Sequence, residues 1–234
     1  MSTMDCVSAG KLYIVATPIG NMADITLRAL EVLKSVDTIL SEDTRETSKL
    51  LNRYNIEKPQ IPYTDQKHAN SVKFIVESLQ SGKSMALVSD SGTPVISDPG
   101  FNLVRELKSR GMDVESIPGP SSIIAALSIS GLPTDKFTFL GFLPKSVNKR
   151  KNLIKKYAAE DSSLILFEAP TRIRKTLYQI HTVLGNRVVC VAKDLTKKFE
   201  DVKTDYIENI INSNVKEKGE YVVIIAKGGY KLNG

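Results

Sequence analysis

The chain has 234 residues, 41% of them apolar and 25% charged, with a net charge of +6. That is long enough for one or two domains with a core of their own and has the composition of a soluble globular protein, so disordered and fibrous classes are excluded. No apolar run approaches the roughly 20 residues of a membrane span, the start MSTMDCVSAG has no basic stretch followed by an apolar core, and the positive charge favours an anionic partner, of which nucleic acid is the largest class.

Residues 1–10 read as a loose tail. KLYIVA (11–16) is a continuous apolar strand. In ADITLRALEVLKS (23–35), Ile25, Ala29, Val32 and Leu33 fall at i, i+4, i+7 and i+8 and share one helical face. VDTIL (36–40) is a strand, TRETSKLLNRY (44–54) a helix, QIPYT (60–64) a short strand and KHANSVKFIVESLQSG (67–82) a helix closed by Gly82. SMALVS, FNLVRELKSRG, DVESI and SSIIAALSIS continue as strand, helix, strand, helix up to residue 130. The rhythm breaks at GLPTDKF (131–137). FTFLGFL then reads as a strand, SVNKRKNLIKKYAAE as a basic helix, SLILF as a strand, TRIRKTLYQIHTVLG as a helix and RVVCVA as a strand. VKTDYIENIINS is predicted helical throughout, and EYVVIIA (220–226) is a last strand. Strand–helix alternation predicts parallel sheet covered on both faces. The expected architecture is two α/β domains, 11–130 and 137–234, joined by a linker at 131–136. The two cysteines, Cys6 and Cys190, have no thiol or histidine at metal spacing, so they fit a reducing cytoplasm; nothing supports a disulfide between them.

Unusual loops follow the strands: TPIGN (17–21), SEDTR (41–45), SDSGTPVISDPG (89–100), PGPSS (118–122), EAPTR (168–172) and KDLTKK (193–198). The third has twelve residues, where strand-to-helix loops usually run about 2–6. The carboxyl edge of a parallel sheet is where ligands bind, so six such loops from two domains point to a cleft between them. No phosphate-binding G-x-x-x-x-G-K-[ST], no G-x-G-x-x-G after the first strand and no G-x-S-x-G is present. Ser146 to Lys149 makes an S-x-x-K without its companion motifs, and His68 and His181 are far apart, so no metal site is expected. Gly92, Gly100 and Gly119 allow close backbone approach, and Pro94, Pro99, Pro118 and Pro120 stiffen the loops. Ser121 is open between capping a helix and touching a ligand, Asp98 reads as a cap for the helix from residue 100, and Glu168 is open between ligand contact and pairing with Arg172. Glu42 and Asp43 could accept a proton and Arg45 could hold a phosphate, or the three form a helix start with an internal ion pair. The stretch Lys145, Lys149, Arg150, Lys151, Lys155, Lys156 is either a solvated helix face or a phosphate-backbone footprint.

TPIGNMADITLRALEVL, SEDTRETSKLL, SDSGTPVISDPG, PGPSSIIAALSISGLP, FLGFLP, FEAPTRI, LTKKFE and KGEYVVII occur in one order over nearly the whole chain. This set resembles the ribosomal RNA small-subunit methyltransferase I family of the tetrapyrrole methylase superfamily. The resemblance implies two α/β domains around a cleft, S-adenosylmethionine as cofactor, and a homodimer acting in the cytoplasm. The implied reaction is methylation of the ribose 2′-hydroxyl of a cytidine in the decoding region of small-subunit ribosomal RNA. It implies cofactor contacts at Pro18, Ile19, Asp90, Ser91, Gly92, Thr93, Ile96, Ser121, Ser122, Glu168, Ala169 and Leu195. Within that reading Asp43 and Glu42 are candidate bases, Lys197 a stabiliser of oxyanion charge, and Arg45, Lys149, Arg150 and Lys151 RNA contacts. Many family members continue past KGEYVVII into a helical segment that this sequence does not include, which shifts RNA docking onto the basic helix and the dimer partner. The competing readings are a tetrapyrrole methyltransferase of precorrin or uroporphyrinogen type, and a non-enzymatic ribosome-associated RNA-binding protein.

Overall fold

The computed structural model describes residue 8 and residues 10–232; the expectations for Cys6 and most of the tail lie outside them. Contacts divide the chain into two compact units, residues 1–121 and 122–234. The division falls at 121/122, so the helix at 122–129 and residues 131–136 group with the second unit.

The first unit holds β1 (Leu12–Val15), α1 (Leu27–Ser35), β2 (Thr38–Ser41), α2 (Thr44–Arg53), β3 (Gln60–Pro62), α3 (His68–Gln80), β4 (Met85–Val88), α4 (Phe101–Ser109) and β5 (Val114–Ile117). Its sheet runs β3-β2-β4-β1-β5, every pair parallel. Alternate residues serve opposite faces, as the two-residue period of a strand requires. Tyr13, Val15, Ile39, Ala86, Val88 and Ile117 pack under α1 and α2, while Leu12, Ile14, Leu40, Met85 and Leu87 pack under α3 and α4. Strands buried on both sides read as unbroken apolar runs, which is why KLYIVA and SMALV show no alternation. Helix α1 begins at Leu27, where the Thr26 hydroxyl accepts from the Ala29 N–H; Ile25 lies before the helix but is buried in the same cluster.

The second unit holds α5 (Ser122–Ile129), β6 (Phe137–Phe142), α6 (Val147–Tyr157), β7 (Ser163–Glu168), α7 (Ile173–Leu184), β8 (Val188–Lys193), β9 (Asp201–Tyr206), α8 (Ile207–Asn212) and β10 (Tyr221–Ile225). Its sheet runs β6-β7-β10-β8-β9. Here the expected parallel alternation gives way. Only β6–β7 is parallel, and β10 enters antiparallel between β7 and β8, with β9 antiparallel on β8. Helices α6, α7 and α8 cover the face carrying Leu164, Leu166, Val189, Val191, Val223 and Ile225. The predicted helix 202–213 is corrected: its first part is the strand β9, because Asp201, Lys203 and Asp205 alternate with Val202, Thr204 and Tyr206 at a period of two.

Candidate functional site

In the first unit the loops after β2, β4, β1 and β5 leave the same sheet edge in that spatial order. They are stitched to each other. Thr17 and Gly92 exchange backbone hydrogen bonds of 2.8 and 3.1 Å, and the Thr17 hydroxyl donates to the Ser89 carbonyl at 3.2 Å. The Thr93 hydroxyl donates to the Pro120 carbonyl at 3.1 Å, tying the β4 loop to PGPSS. The Asp43 N–H donates to the Asp90 carboxylate at 3.0 Å, tying in the β2 loop. Pro18 and Ile19 are buried beneath this seam, and Gly92 lies at φ 82°, with a Cβ there only 3.3 Å from the Ile19 methyl. Ser91 is exposed, Thr93 half-buried, and Ser121 half-buried at the end of the seam; Ser122 opens α5.

The loop 89–100 holds two non-glycine residues in left-handed backbone, Val95 at φ 77° and Ser97 at φ 64°. For a β-branched valine that conformation is strained by about 1–3 kcal/mol and persists only where the surroundings dictate it. Gly100 explains part of it: at φ 128°, its position has no room for a Cβ, which would come within 2.6 Å of Leu87 and 3.0 Å of Val95. Between the strained residues Ile96 stands 46% exposed, an apolar side chain held out to solvent. The expected Asp98 cap is corrected. The Asp65 carboxylate, from the loop after β3, accepts from the Gly100 N–H at 3.3 Å and the Asn102 N–H at 3.4 Å. Asp98 is left facing Glu42 and Asp90, with the Ser89 hydroxyl as donor; burial foremost, then the Glu42 charge, pushes its carboxyl up to about 6. Glu42 and Asp90 are also raised, each chiefly by burial. Asp43 goes the other way. It caps α2, accepts from the Arg45 N–H at 2.8 Å and pairs with the Arg45 guanidinium at 2.6 Å, which holds it at about 2.

In the second unit Glu168, Tyr221, Lys193 and Asp201 form one row across the sheet edge. The Glu168 side chain is buried. It pairs with Arg172 at 2.6 Å, accepts from the Ala169 N–H at 2.8 Å and from the Thr176 hydroxyl at 2.6 Å. Thr176 in turn accepts from Arg150 at 2.9 Å. Ala169 is half-buried beside it, and Leu195 is buried. The turn carrying Leu195 is locked: Asp194 and Thr196 are left-handed, the Glu220 N–H donates to the Asp194 carboxylate at 3.1 Å, and a Cβ on Gly219 would strike that carboxylate at 2.5 Å. Lys197 is half-buried and pairs with Glu220 at 2.9 Å.

Residues 11–211 match the family model described as Tetrapyrrole (Corrin/Porphyrin) Methylases. The chain belongs to the tetrapyrrole methylase family. It is a methyltransferase with S-adenosylmethionine as methyl donor. Among curated relatives, the ribosomal RNA small subunit methyltransferase I of Thermotoga maritima is 43% identical over 219 residues, covering 93% of this chain and 98% of the relative. The protein of the same name from Vibrio cholerae is 45% identical, covering 95% of this chain and 78% of the relative. Among solved structures, a diphthine synthase superposes with a TM-score of 0.72 at 16% identity, covering 92% of this chain and 89% of that one. A cobalt precorrin-4 methyltransferase superposes with a TM-score of 0.67 at 18% identity, covering 93% and 95%. Those two likenesses concern the fold.

The tetrapyrrole methylase donor carries a sulfonium cation and an ammonium group, and the first unit's rim suits both. Glu42, Asp90 and Asp98 gather negative charge there, Ile96 offers an apolar contact, and the Thr17–Gly92 seam brings backbone close. The structure brings Pro18, Ile19, Asp90, Ser91, Gly92, Thr93 and Ser121 to one rim. Arg45 is exposed but spends its guanidinium on Asp43. Arg150 is corrected as an RNA contact: it is 2% exposed, bonded to Thr176 and to the Lys145 carbonyl, and its buried Nε has no acceptor among the described residues. Lys149 is exposed and Lys151 half-buried. What the sequence reading missed is Asp98 as an ionisable group of the site and Asp65 as the cap. Spacing favoured Asp98 for the cap because it is near in sequence, whereas Asp65 is brought in by the fold. Among the described residues no cluster of three or more metal-ligating side chains occurs.

Proposed function

We propose that this methyltransferase acts on the ribose 2′-hydroxyl of a cytidine in the decoding region of small-subunit ribosomal RNA, in the cytoplasm and as a homodimer. The observation that carries the substrate class is similarity over more than nine-tenths of the chain to relatives named ribosomal RNA small subunit methyltransferase I. S-adenosylmethionine supplies an electrophilic methyl group on a sulfonium. The chain has to hold the 2′-oxygen in line with it and take up the hydroxyl proton as the C–O bond forms and the C–S bond breaks. A carboxylate held near 2 is a poor acceptor, so Asp43 is read as an anchor for Arg45 and α2. Glu42 and Asp98, whose carboxyls are raised and which face each other, are the better acceptors. Pro18, Ile19, Asp90, Ser91, Gly92, Thr93, Ile96, Ser121, Ser122, Ala169 and Leu195 are proposed to contact the donor, with Glu168 shaping the strand end. Lys197 is proposed to stabilise developing oxyanion charge, and Lys149 and Lys151 to meet RNA phosphates.

The test offers labelled donor with small ribosomal subunits, naked ribosomal RNA and a precorrin-type macrocycle in parallel. Label in RNA that blocks alkaline cleavage at one cytidine supports the proposal. Label in the macrocycle alone overturns it in favour of tetrapyrrole methylation, and label in a base overturns the 2′-hydroxyl.

A further inference from the structure

The edge strand β6 ends in an aromatic cluster that the fold goes out of its way to build. Phe142 pairs in register with Phe167 of β7, but the register slips between Phe139 and Phe142. Gly141, at φ 61°, sits in that irregularity. Residues three apart on a regular strand point to opposite faces. The slip instead lets both phenylalanines reach one ring: Phe139 meets Phe167 with centroids 4.9 Å apart at 68°, and Phe142 meets it at 5.5 Å and 60°. A cluster made for the core would be covered. Phe142 is 56% exposed and Phe137, earlier on the strand, 41%.

The chemistry around the rings is one-sided. After Phe142 the chain buries Leu143 and then presents Lys145 and Lys149 to solvent. No acidic residue occurs between Asp135 and Glu160. Helix α6, with Lys149, covers the opposite face of the sheet, so the cation the chain itself keeps close to Phe142 is Lys145, three residues on. An exposed aromatic face with a cation beside it is what single-stranded nucleic acid binds: bases stack on rings and phosphates follow the cation.

We propose that Phe142, backed by Phe167 and Phe139, is a stacking platform for an unpaired base of the RNA substrate, with Lys145 holding its phosphate. This rests on the reading that the substrate is RNA. The test measures three quantities for the unaltered chain and for Phe142→Leu, Phe142→Ala and Phe142→Trp: binding of a short fluorescent single-stranded RNA, binding of S-adenosylmethionine by calorimetry, and methylation of small subunits. Loss of stacking should weaken RNA binding roughly 5- to 100-fold in the Leu and Ala variants, with donor binding unchanged. Phe142→Trp should restore it. Leucine fills similar space without an aromatic face, so full RNA affinity in Phe142→Leu overturns the platform even if the Ala variant misfolds. A variant that becomes monomeric while binding RNA normally overturns it in favour of a self-contact. If the unaltered chain methylates RNA but Phe142 makes no difference, the platform alone fails; if it methylates no RNA, the proposed function fails.

Discussion

Asp98 shows how a single carboxyl reports on its surroundings. Buried, set against Glu42 and Asp90, and with no pairing cation among the described residues, it moves from an ordinary 3.8 to about 6. Between those values the folded chain holds a proton the unfolded chain has released. The stability this group contributes is therefore full below about 4 and falls as pH rises through about 6. Asp98→Asn keeps an acceptor for the Ser89 hydroxyl and cannot ionise. It is expected to raise the melting temperature by about 2–4 °C at pH 8 and to leave it unchanged at pH 4, read by scanning calorimetry. The same change should cut methyl transfer severely, and turnover of the unaltered chain should rise with pH through about 6. Equal melting temperatures at pH 8 would show that the carboxyl is not held charged against its environment. None of this was legible at position 98 itself, since an Asp two residues before a helix looks like a cap, and only the fold brings Asp65 to do that job.

Helix α6 separates what composition merges. In the sequence its cations are equivalent, and a stretch such as KSVNKRKNLIKK reads as one basic surface. In the fold Arg150 turns inward to Thr176, which donates to Glu168, while Lys149 stays in water. Arg150→Ala is expected to destabilise the chain by about 2–4 kcal/mol in urea unfolding, from the cavity and the hydrogen bonds lost. Lys149→Ala should change stability by less than about 0.5 kcal/mol and weaken RNA binding instead. Equal effects of the two on stability would contradict the inward position of Arg150. Apolar patterning found β1 and β4, because burial on both faces leaves an unmistakable run such as SMALV. It failed at β9, whose six residues DVKTDY have too little apolar content to compete with the helical pattern that follows them.

For the molecule as a whole, the +6 charge becomes a measurable salt dependence. Exposed Lys145, Lys149, Lys155 and Lys156 lie in one stretch. Replacing three of them with alanine should flatten the plot of log affinity for single-stranded RNA against log salt by about 2, since each phosphate neutralised contributes about 0.7. An unchanged slope would return the stretch to the role of a solvated face. The two-unit α/β plan was legible because strands and helices alternate and every long polar loop follows a strand. The strand directions of the second sheet were not, because pairing is decided by which neighbour β10 finds and not by any local pattern.

That position of β10 bears on how the chain is made. The first sheet needs nothing beyond residue 117, so it can close while synthesis is still under way. In the second sheet the central strand is residues 221–225, and until it emerges β7 and β8 have no partner on the side each will bury. The nascent chain therefore passes through a long interval with two apolar strand edges open, the form in which strands pair with the wrong neighbour. An enzyme proposed to act on ribosomes would thus be most prone to misassembly while still attached to the one producing it.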